Sequence, residues 1–264
     1  MTQQDKAAAF RKLHEGPEIL VLPNAWDAAS AALMADAGAE AVGTSSAAVA
    51  WAHGYADGDV LPRSALFSTI SEITRVVSVP LTADIEGGYT DDLSELAEVI
   101  EGVIGAGAVG INLEDGPRDP GLHARKIEAV RKTAGDRLFV NARIDVYLRG
   151  GSGDEALNET LRRAEFYKGA GADGIFVPGP VDESLIATLA QEIALPLNVM
   201  GRGGAPTAER LQALGVRRLS SATAPFRAAY AALARAMADY TASGDASALA
   251  ALGQGLPDLN RRFA

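Results

Sequence analysis

Eight short runs of apolar and β-branched residues recur along the chain, and each is followed by a stretch with helical periodicity. The runs cover residues 18–23, 41–46, 80–86, 110–115, 138–143, 174–178, 196–200 and 216–221. Between them, segments such as 93–104 and 158–167 place apolar residues three or four apart, as an amphipathic helix does. Strands joined by crossover helices form a parallel sheet, and eight of them close a barrel. We therefore predict an α/β fold, a (β/α)₈ barrel of the TIM type.

Ala-Gly pairs support this division, because a glycine often ends a helix in a left-handed conformation. The pairs Ala37-Gly38, Ala106-Gly107 and Ala170-Gly171 each lie just before a predicted strand. The alternative fold is an open, doubly wound sheet. We rank it second because no Gly-rich dinucleotide fingerprint follows the first strand.

A length of 264 residues suits one barrel, which typically needs about 250 residues. We expect a single domain over 1–264, with the barrel at about 15–240 and a helical extension at about 223–264. The Ala-rich tail is interrupted near Ser243-Gly244 and at 253–257, and it is longer than an eighth barrel helix requires. We therefore expect it to pack between subunits of a homodimer or homotetramer. An extra helix folded over the same barrel is the alternative.

Charge and composition exclude several classes of protein. The net charge of −10 argues against nucleic acid or an anionic membrane as partner, since both attract clustered positive charge. With no cysteine, the chain has no disulfide, Cys-ligated zinc, iron–sulfur cluster or thiol nucleophile. No signal-like N-terminus and no run of about 18 apolar residues is present. We expect a cytoplasmic protein.

Acidic residues end the third and fourth predicted strands. Asp84 and Glu86 are two apart, so strand alternation aims them at one centre, and Glu114 comes from the neighbouring strand. Three carboxylates at a barrel mouth repel one another unless a cation lies between them. A hard divalent ion held by oxygen ligands, Mg²⁺ or Mn²⁺, is the usual solution. The alternative is that these are solvated loop acids or helix caps.

Other polar residues end the remaining strands. Arg143 follows Asn141 on the same face of the fifth strand and can grip a carboxylate with two hydrogen bonds. Its alternative role is an ion pair with Asp145 or a neighbouring acid. Ser45 ends the second strand and offers a hydroxyl and backbone amides. Asn198 on the seventh strand suits a second, distal carboxylate, or bonds to loop backbone instead.

Three segments resemble signatures of the isocitrate lyase/phosphoenolpyruvate mutase superfamily, in the same order. They are Ala83–Tyr89 (ADIEGGY), Gly110–Asp115 (GINLED) and Asn141–Asp145 (NARID). Thr44-Ser45-Ser46 together with Gly54–Asp57 (GYAD) resembles the family's segment after the second strand. The similarity spans roughly residues 18 to 222.

The resemblance implies a Mg²⁺ ion bound by Asp84, with its waters held by Asp57, Glu86 and Glu114. The carboxylate of a 2-oxo acid chelates that ion, and Arg143 and Glu114 are the implied catalytic residues. The implied substrate-binding residues are Ser45, Ser46, Ala47 through its backbone amide, Asp84, Arg143 and Asn198. The family's reactions pass through a metal-stabilised enolate and break or form C–C or P–C bonds. The resemblance also implies tetramers with swapped C-terminal helices.

Two features depart from the family pattern. Its lyases carry a catalytic cysteine in a mobile loop after the fourth strand, whereas the segment 116–122 here is short and has no cysteine. Gly43 stands where the family has an aromatic residue. We therefore expect a Mg²⁺-dependent lyase, decarboxylase or hydrolase of a 2-oxo or 2-hydroxy dicarboxylic acid, such as oxaloacetate or 2-oxoglutarate. Phosphoenolpyruvate mutase or phosphonopyruvate hydrolase chemistry and a non-catalytic oxo-acid-binding protein are the alternatives.

Overall fold

The computed structural model describes residues 2–264, which form a parallel sheet curled into a barrel. The strands are β1 (Leu20–Leu22), β2 (Asn24–Ala25), β3 (Val42–Thr44), β4 (Leu81–Asp84), β5 (Gly110–Glu114), β6 (Phe139–Arg143), β7 (Gly174–Val177), β8 (Leu197–Met200) and β9 (Arg218–Ser220). Their order is β1-β9-β8-β7-β6-β5-β4-β3-β2, with every pair parallel. Only Pro23 separates β1 from β2, so the two ends of the sheet are halves of one strand. The predicted eight-strand barrel is confirmed.

The break in the first strand follows from Pro23, which has no N–H to donate to a neighbouring strand. Its carbonyl accepts from Gly43 N at 2.9 Å. The Asn24 side chain then joins the strands on either side, because Nδ2 donates to Thr44 O (2.8 Å) and Oδ1 accepts from Ala222 N (2.9 Å). A Cβ at Gly43 would lie 2.8 Å from Asn24 Nδ2. This position therefore has no room for an aromatic side chain.

Helices surround the barrel, and α1 to α10 each bury at least one residue, whereas α11 and α12 bury none. They are α1 (Gln3–Lys12), α2 (Ala28–Asp36), α3 (Ser46–Ala52), α4 (Arg63–Val76), α5 (Leu93–Gly105), α6 (Pro120–Ala134), α7 (Gly153–Gly169), α8 (Glu183–Glu192), α9 (Ala208–Ala213), α10 (Ala224–Ser243), α11 (Ser247–Leu252) and α12 (Leu259–Phe263), with a 3₁₀ turn at Gly135–Arg137. The predicted helix 93–104 is confirmed as α5. Gly38, Gly107 and Gly171 have φ of 94°, 103° and 102°, as the predicted helix ends require.

The N-terminal segment, for which the sequence pattern predicted no structure, is helix α1. It lies against the N-terminal ends of the strands, where Phe10 is fully buried with its ring centroid 5.6 Å from that of Phe139. His14 stacks on Phe139 at 4.2 Å. These side chains fill the bottom of the barrel, so the open end is the C-terminal one, where barrel enzymes bind their substrates.

The C-terminal tail begins on the barrel and continues beyond it. Phe226, in the first turn of helix α10, packs its ring against Trp26 (5.3 Å) and Trp51 (5.6 Å). The predicted break near Ser243-Gly244 is confirmed, because Gly244 ends α10 with φ 72°. Arg262 of α12 returns to pair with Asp36 at 2.7 Å. None of the helices described between residues 2 and 264 has the length and hydropathy that crossing a membrane requires.

Candidate active site

A cavity of about 200 Å³ opens at the C-terminal end of the barrel. Every strand except β1 contributes to its wall, either directly or through the loop that follows. The lining residues are Asn24, Ser45, Ser46, Ala47, Asp57, Asp84, Asn112, Arg143, Leu148, Phe176, Pro178, Met200, Ser220, Ala222 and Thr223. The structure thus brings six of the predicted site residues into one cavity. Those six are Ser45, Ser46, Ala47, Asp57, Asp84 and Arg143.

Asp84, the last residue of β4, is held firmly. Its backbone N–H donates to Thr44 Oγ1 at 2.8 Å. On the carboxylate, Oδ2 accepts from the Ser46 hydroxyl at 3.1 Å and Oδ1 accepts from Glu86 N at 3.3 Å. Ser45 caps helix α3, so the first turn of α3 lies beside the end of β4 on the same side of the cavity. This arrangement fixes the carboxylate that is the best candidate for a direct metal ligand.

Glu86 takes a different direction from the one predicted. β4 ends at Asp84, and Glu86 lies in the following loop with a left-handed φ of 52°. Its Oε2 accepts from Gly58 N at 2.7 Å and also from Asp59 N, while Oε1 accepts from the Tyr89 hydroxyl at 3.2 Å. Strand alternation between Asp84 and Glu86 was therefore a wrong argument, because the strand ends between them. The water-mediated role of Glu86 stays a prediction.

Arg143 forms the ion pairs with neighbouring acids that its sequence context suggested as one of its two roles. Its Nη1 lies 2.6 Å from Glu114 Oε2, and its Nε lies 2.7 Å from Asp145 Oδ1. Glu114 and Arg143 are register partners on β5 and β6. The two acids hold the guanidinium in place at the cavity wall, where it can meet a ligand carboxylate.

The pKa values of the acids in the site are raised by burial and by the neighbouring negative charges. Burial raises the pKa of Asp84, raises that of Glu86 to about 7 and raises that of Glu114 to about 8. Partial burial and the neighbouring charge of Asp84 raise the pKa of Asp57. Burial disfavours the charged form of Arg143, but the charges of Glu114 and other acids outweigh it and raise its pKa. Four carboxylates against one lining guanidinium favour the binding of a cation.

The donor set fits a Mg²⁺ ion that keeps most of its waters. Within residues 2–264, no three side chains of the metal-binding types lie close enough together to share one ion directly. Mg²⁺ is commonly bound through one or two carboxylates and retains several waters. Asp84 can therefore bind the ion directly, with waters between it and the surrounding acids.

The opposite wall of the cavity is apolar and was not predicted. Phe176 lies on β7, Pro178 follows that strand, Met200 ends β8, and Leu148 lies in the loop after β6. Asn198, predicted to bind a distal carboxylate, is buried and absent from the lining. Its Oδ1 accepts from the Ser220 hydroxyl at 2.7 Å. Asn198 thus holds the Ser220 hydroxyl, and its role toward a distal carboxylate stays a prediction.

Two polar residues under the cavity were missed. Asn112 on β5 lines the cavity floor, and Arg218 on β9 is buried beneath it. Arg218 Nη2 donates to Asn112 Oδ1 at 3.2 Å, and Asn141 Nδ2 donates to the same oxygen at 2.9 Å. Burial lowers the pKa of Arg218 to about 9. An arginine in the middle of a short predicted strand, residues 216–221, was the signal that could have revealed it.

The short loop after β5 is anchored. Arg118 pairs with Asp59 at 2.5 Å and with Asp91 at 3.0 Å. Its guanidinium occupies the space beside Gly87, since a Cβ there would lie 2.1 Å from Arg118 Nη1. The lack of a side chain at Gly87 therefore makes room for Arg118. The predicted short connection is confirmed, because α6 begins at Pro120.

A parallel barrel with acids, hydroxyls and one arginine around a small cavity at its C-terminal end defines a barrel enzyme for small anionic substrates. The phosphoenolpyruvate phosphomutase family model matches residues 10–241. The chain belongs to this family, within the isocitrate lyase/phosphoenolpyruvate mutase superfamily, as the sequence resemblance predicted.

Individual relatives agree with this assignment. An uncharacterised protein of Mycobacterium tuberculosis H37Rv is 38% identical over 241 residues, which cover 88% of this chain and 89% of the relative. Oxaloacetate decarboxylase of Pseudomonas putida is 30% identical over 239 residues, 86% of this chain and 82% of the enzyme. Among solved structures, a provisionally assigned phosphonomutase of Burkholderia cenocepacia is 41% identical. It has a TM-score of 0.84 and covers 88% of this chain and 98% of that one.

Proposed function

We propose that the protein is a Mg²⁺-dependent enzyme, with Mn²⁺ as a substitute, that breaks a C–C bond of a 2-oxo dicarboxylic acid. Oxaloacetate is the proposed substrate and decarboxylation the proposed reaction. The observation that carries this proposal is that Asp84 and Arg143 line the same cavity of about 200 Å³. One can hold a cation and the other a carboxylate. The similarity to oxaloacetate decarboxylases supports the choice of substrate.

Each residue of the polar wall has a proposed task. Asp84 binds the ion, while Asp57, Glu86 and Glu114 hold its waters. Once bound, the ion supplies a Lewis acid that accepts negative charge from the 2-oxo group. Arg143 binds the adjacent carboxylate, positioned by Glu114. The hydroxyls of Ser45 and Ser46 and the backbone amide of Ala47 complete the pocket for this head group.

Decarboxylation suits a chain that has no cysteine. The C3–C4 bond of oxaloacetate breaks, C4 leaves as CO₂, and the electron pair remains on C3 as the enolate of pyruvate. C3 then takes a proton from water. Cleavage of isocitrate or methylisocitrate places the charge on a leaving carbanion that needs a general acid, and such groups typically contribute about 10²- to 10⁴-fold. We therefore propose slow or no cleavage of those acids.

A turnover assay tests this function. Oxaloacetate is incubated with the protein and Mg²⁺, and pyruvate and CO₂ are quantified against a control that contains Mg²⁺ without protein. An EDTA-treated sample tests the dependence on the ion. No acceleration above the Mg²⁺ control would contradict the proposed reaction. Cleavage of methylisocitrate at an ordinary enzymatic rate of about 10 s⁻¹ would contradict the mechanism.

Phosphorus–carbon chemistry is the second candidate. It is favoured by the match to the phosphomutase family model and by the 41% identity to the Burkholderia cenocepacia phosphonomutase. One observation counts against it. A phosphonate carries more negative charge than a carboxylate, but Arg143 is the only cation among the lining residues that the structure describes. Conversion of phosphonopyruvate in the absence of oxaloacetate turnover would favour this candidate. Binding of oxalate with no turnover of either acid would indicate a non-catalytic binding protein.

A further inference from the structure

The cavity is divided into two halves of different character. Asp84 on β4 and Ser45 before α3 lie on one side of the barrel. In the eight-strand order, β8 lies opposite β4 and β7 lies opposite β3. The side facing the acids is formed by Leu148, Phe176, Pro178 and Met200, here called the apolar wall. A ligand whose 2-oxo carboxylate binds at Asp84 and Arg143 therefore extends its far end toward the apolar wall.

The remaining groups on this side carry no charge. Ser220, Ala222 and Thr223 complete it, and the Ser220 hydroxyl donates its proton to Asn198 Oδ1. The Ser220 hydroxyl hydrogen is thus engaged by Asn198 and is not free to donate to a ligand carboxylate. Arg143 lies where the two halves meet, with Cζ 5.8 Å from the centroid of the Phe176 ring. Glu114, Asp145 and the proposed 2-oxo carboxylate engage its charge, which leaves none for a second carboxylate. A carboxylate at the apolar wall would lack a counter-ion.

We propose that the apolar wall receives the carboxylate that oxaloacetate loses, and that it promotes decarboxylation by withholding a counter-ion. This inference rests on the proposed function. A carboxylate without hydrogen bonds or a counter-ion is strongly disfavoured in an apolar environment. Its charge moves to C3 and the 2-oxo group as the C3–C4 bond breaks, and CO₂ is neutral and apolar. The wall therefore disfavours the bound substrate more than the transition state, and that difference accelerates the reaction.

The inference predicts a specific response to a cation at the wall. Met200→Arg places a guanidinium beside the leaving carboxylate and stabilises the substrate more than the transition state. We expect KM for oxaloacetate to fall while kcat falls by about tenfold or more, the change that ~1.4 kcal/mol produces. Met200→Leu, the matched control, keeps the wall apolar and should lower kcat much less than Met200→Arg does. An unchanged or higher kcat in Met200→Arg would overturn the inference.

A second variant repeats the test at an exposed position, in case Met200→Arg fails to fold. Leu148 is 46% exposed at the rim of the wall, so Leu148→Arg leaves the core intact. It should change KM and kcat in the same directions as Met200→Arg, by a smaller factor because the rim is hydrated. A loss of kcat with a raised KM in both arginine variants would indicate general damage and would also overturn the inference.

Equilibrium binding gives a readout that needs no turnover. 2-Oxopentanoate and 2-oxoglutarate differ only in a terminal methyl group against a carboxylate, and oxalate has no tail at all. With Mg²⁺ present, calorimetry should show 2-oxopentanoate binding at least about tenfold tighter than 2-oxoglutarate in the wild type. Met200→Arg should reverse this order and leave oxalate affinity unchanged. Tighter binding of 2-oxoglutarate by the wild type would overturn the inference, whereas loss of oxalate binding would instead count against the proposed function.

Discussion

Arg218 on β9 donates a hydrogen bond across the barrel interior to Oδ1 of Asn112 on β5, with 3.2 Å between nitrogen and oxygen. Asn141 donates to the same oxygen. The amide nitrogen of Asn112, Nδ2, is therefore the group of this side chain that can donate to a ligand in the cavity. The guanidinium is fully buried, and within residues 2–264 its Nε and Nη1 have no partner. The charge of Asp84 acts on Arg218 and favours its charged form. A fixed positive charge thus lies beneath the site that we propose binds both a cation and an anion.

Arg218→Met should change the affinity for Mg²⁺ and the affinity for oxalate in opposite directions. Removing the buried charge should weaken binding of oxalate and strengthen binding of Mg²⁺ alone. Each change should be on the order of threefold to tenfold, as ~1 kcal/mol of electrostatic interaction would produce. Calorimetry measures both, and Arg218→Lys should restore part of each. If both affinities fell together, Arg218 would have a structural role and no electrostatic one.

Asp84→Ala should abolish Mg²⁺ binding and, with it, the binding of oxalate. Asp84 is the fixed carboxylate of the cavity, held by Ser46 and by the backbone of Glu86. Asp84→Asn is the matched control for shape, because it keeps the size and removes the charge, and it should behave like the alanine variant. Calorimetry with Mg²⁺ and oxalate is the measurement. Unchanged oxalate affinity in both variants would refute the metal site proposed for this cavity.

The strands were predictable from the sequence because each combines apolar residues with a following helix of clear periodicity. The prediction failed where local backbone geometry decides. Glu86 was assigned to a strand that ends at Asp84, and its left-handed conformation turns the carboxylate toward Gly58 and Asp59. The sequence also did not tell that Asn198 holds Ser220 and is absent from the cavity lining. A position near the end of a strand does not by itself tell whether an inward-pointing side chain lines the cavity or lies below it in the barrel interior.

His123→Phe should reduce the loss of stability in acid. His123 is fully buried in α6, 4.6 Å from the Tyr167 ring. Burial, together with the charges of Lys126, Arg118 and Arg163, lowers its pKa to about 3. Below about pH 6.5, His123 therefore binds a proton in the unfolded chain but not in the folded protein. This difference lowers the free energy of unfolding as pH falls from about 6.5 toward 3.

Between pH 7.5 and pH 5, that difference amounts to about 2 kcal/mol for one histidine. Urea unfolding of both proteins at the two pH values measures it. Comparing the wild type with the variant cancels the contributions of His14 and of the buried acids, because they are present in both. Equal pH dependence in the two proteins would show that His123 is protonated without cost in the folded state.

The tail should join subunits into a homodimer or homotetramer. Beyond its contact with Trp26 and Trp51, helix α10 leaves Leu233, Met237 and Tyr240 exposed on one side, at spacings of four and three residues. Leu252 and Leu256, after it, are each 56% exposed. A continuous apolar surface of this kind on a long helix is typical of a protein–protein contact.

Light scattering should therefore give a multiple of 27.3 kDa for the full chain, and truncation after Ser243 should weaken the assembly. Met237→Glu places a charge in the apolar stripe and should dissociate it, whereas Ala231→Glu, at an exposed position on the other side of α10, should not. A full-length chain that is monomeric at micromolar concentration would rule out this role for the tail, and α10 to α12 would then cover only their own barrel.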